Sequence, residues 1–460
     1  MTSEAASPGD PAVAQGDASG PVLRRAISAS AMGNMTEWFD YGVYAYATTY
    51  ITAQFFPDAG TAATLLVFAV SFVFRPLGGL VLGPLGDKLG RKAVLATTII
   101  MMAAATFCIG LLPGEATLGV LAPILLILLR VVQGFSAGGE YGGAATFMAE
   151  YSPDRRRGFF GSFLEFGTLL GFTLGASAVL LTEVIVGAEA MADWGWRIPF
   201  LIAGPLGVVG LYLRSRLEDT PVFRELESKH ESETSLKTEF KDLVAQYMRP
   251  LLALGALVVA LNVCNYTLLA YTPTYLEQTL GMETTPALLV VIIGQLAMML
   301  VVPFSGRISD RLGRKPMWWT SLGGLFVLAV PAYLLMAQDF ALALVGFAVL
   351  GLFYVLQLST ISATFPAMFP THVRFAGFAI AYNVSTALFG GTAPYANEKL
   401  IEVTGSSLVP AYYMMGACVI GAVGLLFVPE TARASIRGRG IPGVDTTCPP
   451  YDREKEMAAV

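Results

Sequence analysis

Gly83-Pro84-Leu85-Gly86-Asp87-Lys88-Leu89-Gly90-Arg91-Lys92 returns half a chain later as Gly306-Arg307-Ile308-Ser309-Asp310-Arg311-Leu312-Gly313-Arg314-Lys315. Gly, Asp, Gly, Arg and Lys keep their places in both copies, and each copy follows the second long apolar run of its half. Glycine allows a tight turn, and an aspartate near helix ends can be pinned by arginine, so each copy reads as a latch between neighbouring helices. A merely basic turn would need neither the second copy nor the matched glycines. The chain is thus read as a duplication, with Gly83, Asp87, Gly90 and Arg91, and Gly306, Asp310, Gly313 and Arg314, as candidate gating-loop residues.

Lipid is the solvent that the composition implies. Of 460 residues 55% are hydrophobic and 14% charged, and the mean hydropathy is +0.61. An ordinary soluble domain carries about 25% charged residues. A net charge of -5, dispersed along the chain, argues against a nucleic-acid partner. Cys108, Cys264, Cys418 and Cys448 lack metal-ligand spacing, three of them sit in apolar runs, and none suggests redox chemistry.

Apolar runs long enough to cross ~30 Å of hydrocarbon occur twelve times. They lie near 27-52, 61-84, 93-112, 119-149, 159-183, 196-214, 249-275, 285-306, 317-336, 340-368, 373-397 and 408-428. Runs of this length predict helices, since a barrel strand would be shorter. The fold expected is all-α and integral to a membrane, with twelve transmembrane helices in two pseudo-symmetric six-helix bundles, 24-214 and 249-428. Residues 1-23 read as a disordered tail without the basic start or apolar core of a signal peptide, 215-248 as a polar linker with a short surface helix, and 429-460 as a second tail. Arg24, Arg25, Lys88, Arg91, Lys92, Arg155 to Arg157, Arg307, Arg311, Arg314, Lys315, Arg374, Arg433, Arg437 and Arg439 fall in one set of connections, and the alternate set is nearly bare. That bias predicts both termini on the cytoplasmic side.

The doubled loop resembles the signature of the major facilitator superfamily, and the resemblance covers the arrangement of the whole membrane part. Within it, Gly33-Asn34 with Glu37-Trp38-Phe39-Asp40, Arg75-Pro76-Leu77-Gly78-Gly79, Gln133 to Tyr141 and Trp194 to Phe200 resemble the metabolite:proton symporter family. Ala149 to Phe159 and Phe365 to His372 are similar to the proline/glycine betaine transporters of bacteria. The resemblance implies a multi-pass carrier of the bacterial cytoplasmic membrane, alternating access, and uptake driven by the proton gradient without a cofactor. It also implies that helices 1, 2, 4, 5, 7, 8, 10 and 11 line the cavity.

Charges inside apolar runs are costly and point to function. Glu37 and Asp40 fall in the first run, Arg75 in the second, Arg130 and Glu140 in the fourth and Glu165 in the fifth, while the apolar interiors of the second half hold no Asp, Glu, Lys or Arg. Aligning the first runs of the two halves sets Asn262 against Glu37, Asn265 against Asp40 and Tyr266 against Tyr41; aligning the fourth sets Gln357 against Glu140. Amides bind but do not titrate. Proton coupling is therefore expected in the first half, at Glu37, Asp40, Arg75, Arg130 and Glu140, with Asp40 or Glu140 carrying the proton. At ~1.5 Å rise per residue Glu37 and Asp40 lie roughly 15-20 Å deep. Asp40 is expected to meet Arg130, and Arg75, Glu140 and Glu165 to form a second group.

Four acids against two arginines suit a proton plus a zwitterion with a cationic head. Faces of Trp and Tyr attract quaternary ammonium groups. Trp38, Tyr44 and Tyr141 are the expected cage, Glu165 the expected partner of the cationic head, and Asn262, Asn265, Tyr266 and Gln357 the neutral contacts. The expected partners are a small-molecule substrate, protons and the lipid bilayer. A proton symporter for organic anions such as dicarboxylates, citrate or shikimate-like acids is the alternative. An enzyme is not expected: His230 and His372 lie outside the spans, and no water-facing catalytic domain is present.

Overall fold

The computed structural model describes residues 20–89, 91–138, 140–215, 236–370, 373–434 and 436. Within lipid every backbone N–H and C=O must be satisfied inside its own segment, which is why long apolar runs become helices. Twelve helical rods follow one another among the described residues. They are α1 (Gly20–Tyr46, continued by Thr48–Phe55), α2 (Gly60–Leu89), α3 (Arg91–Leu111), α4 (Leu121–Ala137, then Glu140–Tyr151), α5 (Arg157–Val186) and α6 (Arg197–Ser215). The second half repeats the order with α7 (Leu236–Asn265, continued by π-helical turns Tyr266–Tyr271 and Tyr275–Thr279), α8 (Thr284–Leu312), α9 (Arg314–Met336), α10 (Phe340–Leu358, then Ile361–Thr364), α11 (Arg374–Phe389, then Thr392–Thr404) and α12 (Val409–Leu426).

Eight helices among the described residues pass as membrane spans by length and composition alone. Among those that do not, α1 carries Glu37 and Asp40, α3 is apolar but short over Ala96–Leu111, and the segment before α6 bends by 57°. Two boundaries differ from the sequence expectation. Helix α1 already begins at Gly20, and the end of the expected linker is helical from Leu236 and runs into α7 across a kink at Tyr247 (φ -116°, ψ 22°). The rest of the expected tails and linker, at 1–19, 216–235 and 437–460, lies outside the described residues.

The halves meet along two seams, α5 against α8 and α2 against α11. Helices α3, α6, α9 and α12 stand outside, turning Ile100, Val208, Val327 and Val423 to the surrounding medium. Exposed apolar side chains on this scale fit a lipid-facing wall. Helices α2 and α4 pack backbone to backbone: a Cβ at Gly134 would fall 1.7 Å from the Ser71 carbonyl oxygen. That contact fixes the register of two helices that carry Arg75 and Arg130.

Both ends of the bundle are closed. On the face of the repeated turns, the Asp310 carboxylate accepts the backbone N–H groups of Gly158 (2.8 Å) and Phe159 (2.9 Å) at the start of α5. It also binds Arg314 at 2.7 Å, and Arg374 bridges to Glu150 at 3.1 Å. After α12 the chain crosses this seam. Glu430 accepts from the backbone N–H of Arg314, Arg157 donates to the Ala434 carbonyl, Arg374 donates to the Ile436 carbonyl, and Ile436 is buried with Ala149 and Ala367. On the opposite face Tyr46 donates to the Leu269 carbonyl (2.7 Å), Gln295 donates to the Tyr46 hydroxyl (2.7 Å) and Thr49 donates to Glu277 (2.7 Å). The molecule is therefore occluded, with inter-half contacts at both ends and the site between them.

Candidate functional site

The two faces of α1 do different work. Trp38 lines a compartment between the two halves, whereas Glu37 and Asp40 line a cavity against α3. Glu37, 2% exposed, pairs with Arg75 of α2 at 2.5 Å. Arg75 also donates to the Tyr41 hydroxyl at 3.3 Å, and its guanidinium lies 4.9 Å from the centroids of both Tyr41 and Phe72. A charge taken out of water needs such a partner. Asp40 shares a cavity of about 10 Å³ with Gly33, Thr36 and Glu37 of α1 and Ile99, Met102 and Ala103 of α3.

Arg130 of α4 spends its donors on neutral groups, Gln133 (2.8 Å), Ser71 (2.9 Å) and the Phe68 carbonyl (3.2 Å), and stacks 4.3 Å over the Tyr44 ring. It remains within electrostatic reach of Asp40. The expected grouping of Arg75 with Glu165 is not what the structure builds: Arg75 belongs to Glu37, and Glu165 sits in a different compartment. Depth along a helix had put Arg75 and Glu165 at similar levels, but rotation about each helix axis decides which side chains meet. Neither the Glu140 side chain nor the side chains of Gly83, Asp87 and Arg91, nor Gly90 at all, is among those described.

The second compartment lies between the halves. Its wall brings Trp38, Tyr141, Glu165 and Thr168 from the first half together with Asn262, Asn265, Tyr354 and Tyr382 from the second, closed by Leu261, Leu358 and Ile361. Glu165 accepts from the Tyr141 hydroxyl at 2.6 Å and from Thr168 at 3.1 Å. Asn34 orders the neighbouring side chains, donating to Thr168 (2.7 Å) and to the Leu164 carbonyl (2.8 Å) and accepting from the Trp38 indole (3.1 Å). Within the second half Tyr354 donates to Asn265 at 2.6 Å and Asn262 donates to Thr386 at 2.8 Å. The rings of Tyr141 and Tyr382 are stacked, with centroids 4.6 Å apart and 17° between planes. The enclosed space is about 10 Å³, room for roughly one water molecule.

Of the expected substrate contacts, Trp38, Tyr141, Glu165, Asn262 and Asn265 share this wall. Tyr44 does not: its hydroxyl donates to the Thr64 carbonyl and its ring serves Arg130. Tyr266 sits among Trp38, Phe68 and Phe72 at the seam rather than in the wall. Gln357 is fully buried beside Cys264 and is not among the residues of the wall, although its neighbour Leu358 is. Tyr354, Tyr382 and Thr168 were not anticipated. A signal for Tyr382 existed, because the offset that carries Pro153 onto Pro370 also carries Glu165 onto Tyr382. Among the described residues, no group of three or more His, Cys, Asp or Glu could hold a metal ion.

Comparison with known proteins bears on the same architecture. A family model described as Major Facilitator Superfamily matches residues 31–394. The chain is 44% identical over 427 residues to the "Proline/betaine transporter" of Escherichia coli (strain K12), covering 90% of this chain and 85% of that one. It is 44% identical over 445 residues to the "Ectoine/proline transporter ProP" of Corynebacterium glutamicum, covering 92% and 87%. Among solved structures, the partially occluded inward-open xylose transporter XylE from E. coli superposes with a TM-score of 0.69 at 17% identity, over 90% of this chain and 99% of that one.

Proposed function

Because the chain belongs to the Major Facilitator Superfamily, we propose that it is a proton-coupled symporter importing small zwitterionic osmolytes such as glycine betaine, proline or ectoine by alternating access. It is a transporter rather than an enzyme, a multi-pass protein of the bacterial plasma membrane. The observation that carries the substrate reading is Glu165, one carboxylate ringed by Trp38, Tyr141, Tyr354 and Tyr382 in a wall with no Lys or Arg among the described residues. A cationic head finds both an anion and ring faces there. A dicarboxylate would bring further negative charge beside Glu165, so the organic-anion alternative is disfavoured on charge.

Coupling follows from α1. The helix carries Trp38 into the central wall and Asp40 into the cavity against α3, so a rotation or shift of α1 changes both at once. A carboxylate in a dry site prefers to be neutral, and a neighbouring Arg restores its charge. Asp40 or Glu140 takes the proton, and Arg130 and Arg75 set its affinity as the helices move. The Lys and Arg bias assigns the face of the repeated turns, and both termini, to the cytoplasm. Rocking of the halves breaks the Asp310 and Arg374 contacts to open inward, and the Tyr46 and Thr49 contacts to open outward.

The test is uptake of labelled glycine betaine and proline into proteoliposomes under an imposed inward proton gradient. Accumulation that collapses with a protonophore and resists excess succinate supports the reading. Strong competition by succinate and none by betaine would overturn it.

A further inference from the structure

We propose that Tyr141 and Tyr382 form a cation clamp that sets selectivity between quaternary and hydrogen-bonding ammonium substrates; the proposal rests on the transport of zwitterions argued above. Three features of the pair lead to it. The rings come from different halves, α4 and α11, so whatever separates them also moves the halves against each other. Tyr141 is anchored by its 2.6 Å bond to Glu165, whereas Tyr382 makes its ring contacts with Tyr141 and, edge to face, with Phe378 at 5.5 Å. The cavity beside them holds about 10 Å³, far less than a zwitterion of several heavy atoms needs, so the wall must yield.

The stack is where it yields most usefully. In the stack each tyrosine turns one ring face to the other, and a cation binds within about 6 Å of a ring centroid. A trimethylammonium head inserted between the two rings gains both faces, which the stacked pair otherwise gives to itself. Such a head has no N–H and cannot use Glu165 as a hydrogen-bond acceptor, so ring faces and unscreened charge are all it has. The secondary ammonium of proline is different. It can donate directly to the Glu165 carboxylate, and it depends less on the second ring. Without substrate, the Tyr141–Tyr382 stack fills the gap and lets the empty carrier close.

The clamp therefore predicts a change in preference rather than a general loss. In the Tyr382→Leu protein, KM for glycine betaine rises about tenfold relative to KM for proline, and Tyr382→Phe returns the ratio to that of the wild type, since the ring face and not the hydroxyl is required. Tyr382→Met, also without a ring, answers the same question if the leucine variant does not assemble. Equal rises in both KM values, or no change in their ratio in either ringless variant, would overturn the clamp while leaving zwitterion transport standing. Wild-type protein that accumulates neither substrate would overturn the transport reading, and the clamp with it.

Discussion

At the scale of single residues, the buried charges separate by role. Glu37 and Arg75 form an ion pair in a site that is 2% and 1% exposed, so removing one takes a charge partner from the other in a place that water does not reach. Arg75→Ala is expected to destabilise the protein by about 3–5 kcal/mol. Thermal unfolding in detergent should show a much lower Tm, and the double change of Glu37→Gln with Arg75→Gln should lose less than the single changes added together. Asp40 serves a separate cavity against α3. Asp40→Asn is expected to abolish accumulation driven by the proton gradient while leaving counterflow exchange of labelled substrate across the vesicle membrane. Retained proton-driven accumulation would remove Asp40 from the coupling scheme and leave Glu140 as the carrier.

At the scale of elements, the α2–α4 contact decides how accurately Arg75 and Arg130 are presented. Because a Cβ at Gly134 meets the Ser71 carbonyl oxygen at 1.7 Å, Gly134→Ala must push two helix backbones apart. Overpacking of this kind costs about 1–3 kcal/mol or more. Gly416 of α12, by contrast, has nothing within 4 Å of an added Cβ. Gly134→Ala should lower the yield of folded protein and its Tm, and Gly416→Ala should do neither; the comparison is read by fluorescence-detected gel filtration over a temperature series. The acidic pattern of α1 and the glycines of α2 and α4 were visible in the sequence. Their partners were not, because a side chain's neighbour depends on helix rotation and crossing, which local composition does not encode. Tyr44 illustrates this: it lies on the same helix as Trp38, yet its ring faces Arg130 and not the central wall.

At the scale of the whole molecule, the closed ends make the halves interdependent. Glu430 to Ala434, with Ile436, lie across the seam, held by Arg157 of α5 and Arg374 of α11, and they include Arg433 in the left-handed region at φ 63°. A non-glycine residue there costs about 1–3 kcal/mol and persists only when its surroundings hold it. Arg433 is held by its bonds to the Asp310 and Arg311 carbonyls. Because Ile436 is buried against Ala149, cysteines at these two positions, in a background without the four native cysteines, should crosslink on oxidation. Uptake should stop on crosslinking and return with reductant. Full uptake by the crosslinked protein would mean that the segment stays in place as the carrier opens.

What the sequence by itself determined was the solvent, the duplication and the half that carries the charge. Hydropathy is a sum over neighbours in the chain, and the repeated Gly83–Lys92 and Gly306–Lys315 segments are legible without any fold. The tertiary structure alone decided that Arg75 belongs to Glu37, that Glu165 and Asp40 occupy separate compartments, and that Tyr354 and Tyr382 complete the central wall. Those pairings depend on how twelve helices rotate and cross, and a shift of one residue along a helix turns a side chain by about 100°.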